Sequence, residues 1–162
     1  MSLNNPNAKM GIAEEIKQKK FKSELNKLMI NIMFTNSWLH EKQLQLFRPH
    51  GLTEPQYNVL RILRGQYPNP STVNLIIDRM IDRMSNASRI VDKLEKKGMV
   101  ERTQCKKDRR AVDVTITQKA LDILAKLDLE MGKWENTIKT ITGDEAQLLN
   151  KLLDKLRGGT NS

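Results

Sequence analysis

Residues 87–102 read ASRIVDKLEKKGMVER, a stretch that contains most of a helix, the helix end and the start of a strand. Its apolar side chains recur at the spacing of one helix face, which predicts a helix from Met84 to Lys97 that ends at Gly98. The inward face carries Met84, Ala87, Val91 and Leu94, with Ile90 at its edge. The outward face carries Ser85, Asn86, Ser88, Arg89, Asp92, Lys93 and Lys96. The outward face is therefore small and polar at its start and basic further along.

The period changes after Gly98, where the sequence becomes rich in β-branched residues. Residues 99–103 and 111–116 partly alternate between apolar and polar side chains, and the charged stretch Gln104–Arg110 joins them. This pattern predicts a two-stranded ribbon with a basic tip. Two short helices are predicted upstream, one from after Thr53 to about Arg64 and one from Thr72 to about Met80.

Long helical segments flank this middle region on both sides. Apolar residues at helical spacing predict one helix from about Ile12 to Phe47, bent or frayed before Phe21, and another from Gln118 to Thr140. The second helix has a packing seam that we expect to pair between two subunits: Leu121, Leu124, Leu127, Met131, Trp134, Ile138 and Ile141. A capping box at Thr142 to Glu145 begins a last helix that reaches about Leu156.

These elements predict a fold that is mainly α with a small β-ribbon. Their order is that of a winged helix-turn-helix flanked by long N- and C-terminal dimerisation helices. We expect a single domain over residues 1–162, with a DNA-binding lobe at about 52–117 and dimerisation arms at about 12–48 and 118–157.

Positive charge is concentrated between Arg83 and Arg110, in the predicted helix and ribbon tip. The chain carries a formal net charge of +9 and a pI of about 9.7, which point to a polyanionic partner, either nucleic acid or an acidic membrane surface. Between Arg83 and Arg110 there are ten lysines and arginines against four carboxylates. We expect any polyanion to bind there.

Other features of the sequence indicate a cytoplasmic protein. No apolar run is long enough to span a bilayer, and the first residues lack the pattern of a secretory signal. The single cysteine, Cys105, cannot form an internal disulfide, as is usual in a reducing compartment.

Three blocks of sequence resemble the MarR family of bacterial transcriptional regulators. They are Gly51 to Leu60, Ala87 to Arg102 and Lys107 to Val112. The resemblance implies a recognition helix in the major groove and a wing, the ribbon tip, in the minor groove. It also implies that Arg110 enters that groove and that Asp108 supports it, which agrees with the attraction of narrow minor grooves for arginine.

The candidate DNA-binding residues follow from the helix face, the ribbon tip and the resemblance. They are Ser85, Asn86, Ser88, Arg89, Lys93, Lys106, Lys107, Arg109 and Arg110, with Asp108 as a wing-supporting residue. No catalytic motif, metal site or cofactor is predicted, since His40 and His50 are isolated and no phosphate loop occurs. We interpret Cys105 as a bystander.

The hypothesis is a homodimeric regulator that recognises a double-stranded operator and does not act as an enzyme. By the resemblance, it represses transcription and is released by a small-molecule effector. Two alternatives stay open at this point. One is a winged-helix protein that coats DNA without choosing sequence or serves as a protein-interaction module. The other is a basic helical module for an acidic protein or membrane surface.

Overall fold

The computed structural model describes residues 10–104, 112–137 and 140–159. The chain divides into two compact units, Met1–Glu54 and Pro55–Ser162. Helices make up most of the described residues and three short strands form one antiparallel sheet, which confirms the predicted fold class. Among these helices, none is both long enough and apolar enough to cross a membrane.

The N-terminal unit contains α1 (Ile12–Glu15), α2 (Glu24–Phe47) and a 3-10 turn (Arg48–His50). The helix predicted from about Ile12 to Phe47, bent or frayed before Phe21, is two separate helices with a break between Glu15 and Glu24. The chain leaves the helical conformation after α1, and Lys17 adopts a left-handed φ of 54°. A second helix then begins at Ser23, whose hydroxyl accepts a hydrogen bond from the Asn26 N–H at 3.1 Å.

The end of α2 agrees with the sequence analysis. Pro49 lies in the 3-10 turn, and Gly51 follows with φ of 66°, a conformation that glycine adopts without a steric penalty. Within this unit, the Nδ1 atom of His40 on α2 lies 2.6 Å from Oε2 of Glu54.

The C-terminal unit contains the remaining elements, and the first helix begins at the boundary residue. They are α3 (Glu54–Arg64), β1 (Ser71–Thr72), α4 (Val73–Arg79), α5 (Ala87–Lys96), β2 (Val100–Gln104), β3 (Val112–Ile116), α6 (Gln118–Thr137) and α7 (Gly143–Leu156). The predicted capping box before α7 is confirmed: Thr142 accepts from the Glu145 N–H, and Glu145 accepts from the Thr142 N–H.

The sheet contains the predicted ribbon and one strand more. Strands β2 and β3 pair antiparallel, with Val100 opposite Ile116. Strand β1 pairs with the other side of β3, so β3 is central. Thr72 ends β1 and also caps α4, because its hydroxyl accepts from the Leu75 N–H at 3.2 Å. The sheet therefore connects the ribbon to the start of α4.

The turn between α5 and β2 requires a glycine. Gly98 has φ of 65°, its N–H donates to the Glu95 carbonyl at 2.8 Å, and the Met99 N–H donates to the Leu94 carbonyl at 3.0 Å. This pair of hydrogen bonds is a Schellman motif, which satisfies the last carbonyls of a helix. It directs the chain from α5 into the ribbon.

The first half of α6 belongs to the core of the chain. Leu124 and Leu127 are fully buried, whereas the sequence analysis assigned them to a seam between subunits. On the same helix, Met131 accepts a hydrogen bond from the Tyr57 hydroxyl through its sulfur at 2.9 Å. Leu124 and Leu127 are therefore not available to a partner.

We predict that replacing glycine with alanine has opposite effects on stability at Gly98 and at Gly132. Gly98→Ala should lower the free energy of unfolding by about 1 kcal/mol, because alanine is strained at positive φ. Gly132→Ala, within α6, should raise it by roughly 0.5 to 1 kcal/mol, because glycine is a poor helix former. A Cβ atom meets no atom within 4 Å at either position, so packing does not confuse the comparison.

Urea unfolding at one fixed protein concentration measures both variants. The Schellman assignment is wrong if Gly98→Ala is as stable as the parent.

Candidate nucleic-acid interface

A structured turn precedes α5, so the predicted helix start at Met84 is wrong. The Asp82 carboxylate accepts from the Met84 N–H at 2.9 Å and from the Ser85 hydroxyl at 2.6 Å. Asn86 then caps α5, and its side-chain oxygen accepts from the Arg89 N–H at 3.0 Å. Ser85 and Asn86, both expected on the helix, lie instead in the turn and at the cap.

The turn is held at both of its ends. The hydrogen bond from the Ser85 hydroxyl, and next that from the Met84 N–H, lower the pKa of the Asp82 carboxyl. At the other end, the Ile81 N–H donates to the side-chain oxygen of Asn58 on α3 at 3.0 Å. Because the pKa of Asp82 is lowered in the folded chain, its contribution to stability is complete at neutral pH. That contribution is lost in acid, as the pH falls through the folded pKa.

Helix α5 has one buried and one exposed face. Ala87, Val91 and Leu94 are buried, as predicted. Met84, which was predicted on the same inward face, is 94% exposed, because it lies in the turn before the helix. The exposed face carries the predicted residues Ser88, Arg89 and Lys93 together with Asp92, Glu95 and Lys96. The two carboxylates among these cations would repel phosphate if they were unpaired.

Arg102 on β2 pairs with both of these carboxylates. Its Nη2 lies 2.5 Å from Oδ1 of Asp92, and its Nε lies 3.6 Å from Oε2 of Glu95. Nη2 also donates to the main-chain carbonyl of Ser88 at 3.2 Å. One guanidinium therefore contacts both acidic groups of α5, offsets one of their two negative charges and connects the helix to the ribbon.

The roles of Arg102 and Asp82 were not predicted from the sequence. A signal for Arg102 was present: strand alternation places it on the same side of β2 as buried Val100, and β2 packs against α5. On α5, Asp92 and Glu95 are three residues apart and so share a face. For Asp82 the signal was its spacing of three residues from Ser85, which is typical of side-chain hydrogen bonding within a turn.

Some of the lysines and arginines between Arg83 and Arg110 form hydrogen bonds or ion pairs with other residues of the chain. Lys97 donates through Nζ to the side-chain oxygen of Gln56 at 2.8 Å, and Arg102 is paired with Asp92. The sequence count from Arg83 to Arg110 therefore overstates the positive charge that is free to contact DNA.

The predicted ribbon tip lies outside the described residues. This applies to Lys106, Lys107, Asp108, Arg109 and Arg110, and also to Cys105. Their assigned roles stay predictions. Of the predicted DNA-binding residues, the structure brings together Ser85, Asn86, Ser88, Arg89 and Lys93 at the beginning and along the exposed face of α5.

Comparison with known proteins identifies the family. The MarR family model matches residues 52–112, which include α3, α4, α5 and β2. A solved transcriptional regulator, PA4135, is 30% identical, with a TM-score of 0.60, and the match covers 80% of this chain and 97% of that one. The chain belongs to the MarR family of bacterial transcriptional regulators.

Two further relatives fit this MarR-family assignment. The HTH-type transcriptional regulator PapX of Escherichia coli is 25% identical over 122 residues, which are 75% of this chain and 74% of PapX. A mutant MarR from Escherichia coli, solved in complex with operator DNA, has a TM-score of 0.73 and 24% identity. That match covers 85% of this chain and 99% of the other, and it shows that the two share a fold.

We predict that Arg102 and Asp92 act together in DNA binding by this MarR-family chain. Arg102→Met should weaken binding to a short random-sequence duplex about two- to fivefold, the equivalent of roughly 0.5 to 1 kcal/mol for one partly exposed ion pair. Asp92→Asn should improve binding more in the Arg102→Met background than in the parent, because Arg102 already neutralises the carboxylate in the parent.

Fluorescence anisotropy of the four proteins measures this coupling. Equal effects of Asp92→Asn in both backgrounds would mean that the two residues act independently.

Proposed function

We propose that the chain is a homodimeric repressor that binds a specific double-stranded operator through α5 and is released by a small-molecule effector. The observation that carries the proposal is the exposed face of α5. There Ser88, Arg89 and Lys93 face solvent, while Arg102 pairs with the two acidic groups beside them. This leaves a helix face with small side chains at its start and long cations further along.

Such a face suits the major groove of DNA. Short side chains at the start of α5 allow the backbone to approach the base edges closely, in a groove about 12 Å wide. Arg89 is long enough to donate to a guanine edge, and Lys93 is suited to a phosphate. We therefore assign sequence reading to Arg89 and a sequence-independent contact to Lys93.

The proposed dimer rests on the exposed apolar side chains of α7. The exposed leucines of this helix share one face: Leu148, Leu149, Leu152 and Leu156. A run of exposed leucines on one helix face is typical of an interaction surface. Burial of about 1,600 Å² between two copies would cover this face and double the footprint on DNA. Release by an effector is inferred from the family resemblance alone.

Selection of bound duplexes from a random pool tests sequence recognition. We expect a motif with two-fold symmetry and a preference of about a thousandfold or more over random DNA. An even affinity for all sequences would favour the coating protein, and weak binding to every duplex would favour a protein or membrane partner.

Two substitutions on α5 should separate base reading from phosphate contact. Arg89→Ala should cost about 1 to 3 kcal/mol on the selected site and should lower the preference over random DNA. Lys93→Ala should weaken binding to the selected site and to random DNA by the same factor. It should also lower the slope of log affinity against log salt by about one. Lys126→Ala, an exposed position on α6, serves as a control and should bind like the parent. If Arg89→Ala keeps the full preference, α5 does not read sequence through this residue.

The dimer surface predicts the effect of two charges on α7. Leu152 is 53% exposed and Leu156 is 41% exposed, so replacing both with Asp should leave the helix content of the chain unchanged. The double variant should become monomeric at micromolar concentration and lose operator affinity, because an interface cannot bury two unpaired carboxylates.

A matched control adds the same charge to the opposite face of α7. Gln147→Asp with Asn150→Asp should remain dimeric and bind operator like the parent. Light scattering measures the oligomeric state. A monomeric parent, or a dimeric Leu152→Asp Leu156→Asp variant, would refute a dimer formed through α7.

A further inference from the structure

Met84 is the most exposed large apolar side chain among the described residues, at 94% of its free surface. It lies in the turn before α5, and Ile81 in the same turn is 81% exposed. Isolated exposed apolar residues are common on protein surfaces. Met84 differs from such residues in two ways: it lies next to the start of α5, and its backbone is held in place by hydrogen bonds.

The backbone that carries Met84 is fixed by hydrogen bonds. The Met84 N–H donates to one carboxylate oxygen of Asp82 at 2.9 Å, and the neighbouring Ser85 hydroxyl donates to the other at 2.6 Å. The Ser85 N–H also donates to the main-chain carbonyl of Asp82 at 3.3 Å. The chain thus holds an apolar side chain in water on an ordered turn, where its hydration is unfavourable until a partner covers it.

The surroundings of Met84 favour duplex DNA as that partner. Met84 comes two residues before Asn86, the N-cap of α5. It therefore lies at the N-terminal end of the helix that we propose enters the major groove. Arg83 and Arg89, the cations nearest to it in sequence along this edge, are both exposed. An apolar residue among exposed arginines is a poor match for an apolar protein surface. It is a good match for a polyanion with a methyl group in its major groove, which in DNA is the C5-methyl of thymine.

We propose that Met84 is a specificity-determining residue that contacts a thymine methyl group in each operator half-site. This inference rests on the proposed function and deepens it. Hydrogen bonding by Arg89 selects a base pair through its donors and acceptors, whereas Met84 selects a neighbouring pair through its apolar surface.

Deoxyuridine tests the proposal, because it pairs like thymidine and lacks only the methyl group. Each thymidine of one half-site in the selected operator is replaced in turn, and the affinity is measured for the parent, Met84→Ala and Leu129→Ala. Leu129 is an exposed leucine on α6, 70% exposed, and controls for the loss of an apolar surface residue elsewhere.

We expect one replacement to weaken binding of the parent and of Leu129→Ala about fourfold, the effect of exposing one methyl-sized group. Met84→Ala should bind the thymidine operator less tightly than the parent and should show no further loss at that position. A parent indifferent to every replacement, or a Met84→Ala variant that keeps the full loss, would overturn the proposal.

The same experiment separates this proposal from the proposed function. A selection that yields no motif overturns both. A two-fold motif without thymine, or one whose thymine methyl groups make no difference, overturns only the role of Met84 and leaves sequence recognition by α5 standing.

Discussion

Burial of one face of α5 fixes the orientation on which the rest of the interface depends. Ala87, Val91 and Leu94 lie in the core, and each of the two larger side chains contributes about 1.5 to 3 kcal/mol through removal from water. Rotation of the helix about its axis would expose these side chains. The face that carries Arg89 and Lys93 therefore points outward in every copy of the folded chain, and its position does not depend on contact with DNA.

Ion pairs between α5 and β2 also hold α5 in this orientation. Arg102 reaches from β2 to Asp92, Glu95 and the Ser88 carbonyl, so the strand and the helix hold each other in place. An exposed ion pair of this kind contributes little to stability. Its main effect is on the field above α5, where two negative groups would otherwise oppose the approach of a phosphate backbone.

The parts of the fold that depend on local signals could be predicted from the sequence. The apolar period identified the buried face of α5, Gly98 marked its end, and the capping box at Thr142 marked the start of α7. The start of α5 was placed at Met84 because Met84 fits the apolar period of the helix, whereas Ser85 lies in the turn and Asn86 is the cap. Only the hydrogen bonds of Asp82 and Asn86 place the start later.

Features that depend on residues far apart in the sequence could not be predicted from local signals. Strand β1 has two residues and no period of its own, and it exists because β3 offers a free edge. The leucines of α6 repeat as they would in a seam between subunits, yet Leu124 and Leu127 are buried within the chain, since periodicity reveals that a face is covered and not what covers it. For Arg102, strand alternation indicates the side of β2 on which it lies but does not identify Asp92 and Glu95 as its partners.

The central place of β3 in the sheet has a consequence for the order of folding. The hairpin of β2 and β3 joins neighbouring segments, whereas β1 must find β3 across the whole length of α4 and α5. Closure of that larger loop carries a greater entropy cost, so contacts of this kind form late unless other elements are already in place. Thr72 ends β1 and also caps α4 through its own hydroxyl, so the pairing of β1 with β3 ties the start of α4 to the ribbon. We therefore expect α4 and the ribbon to complete their folding together.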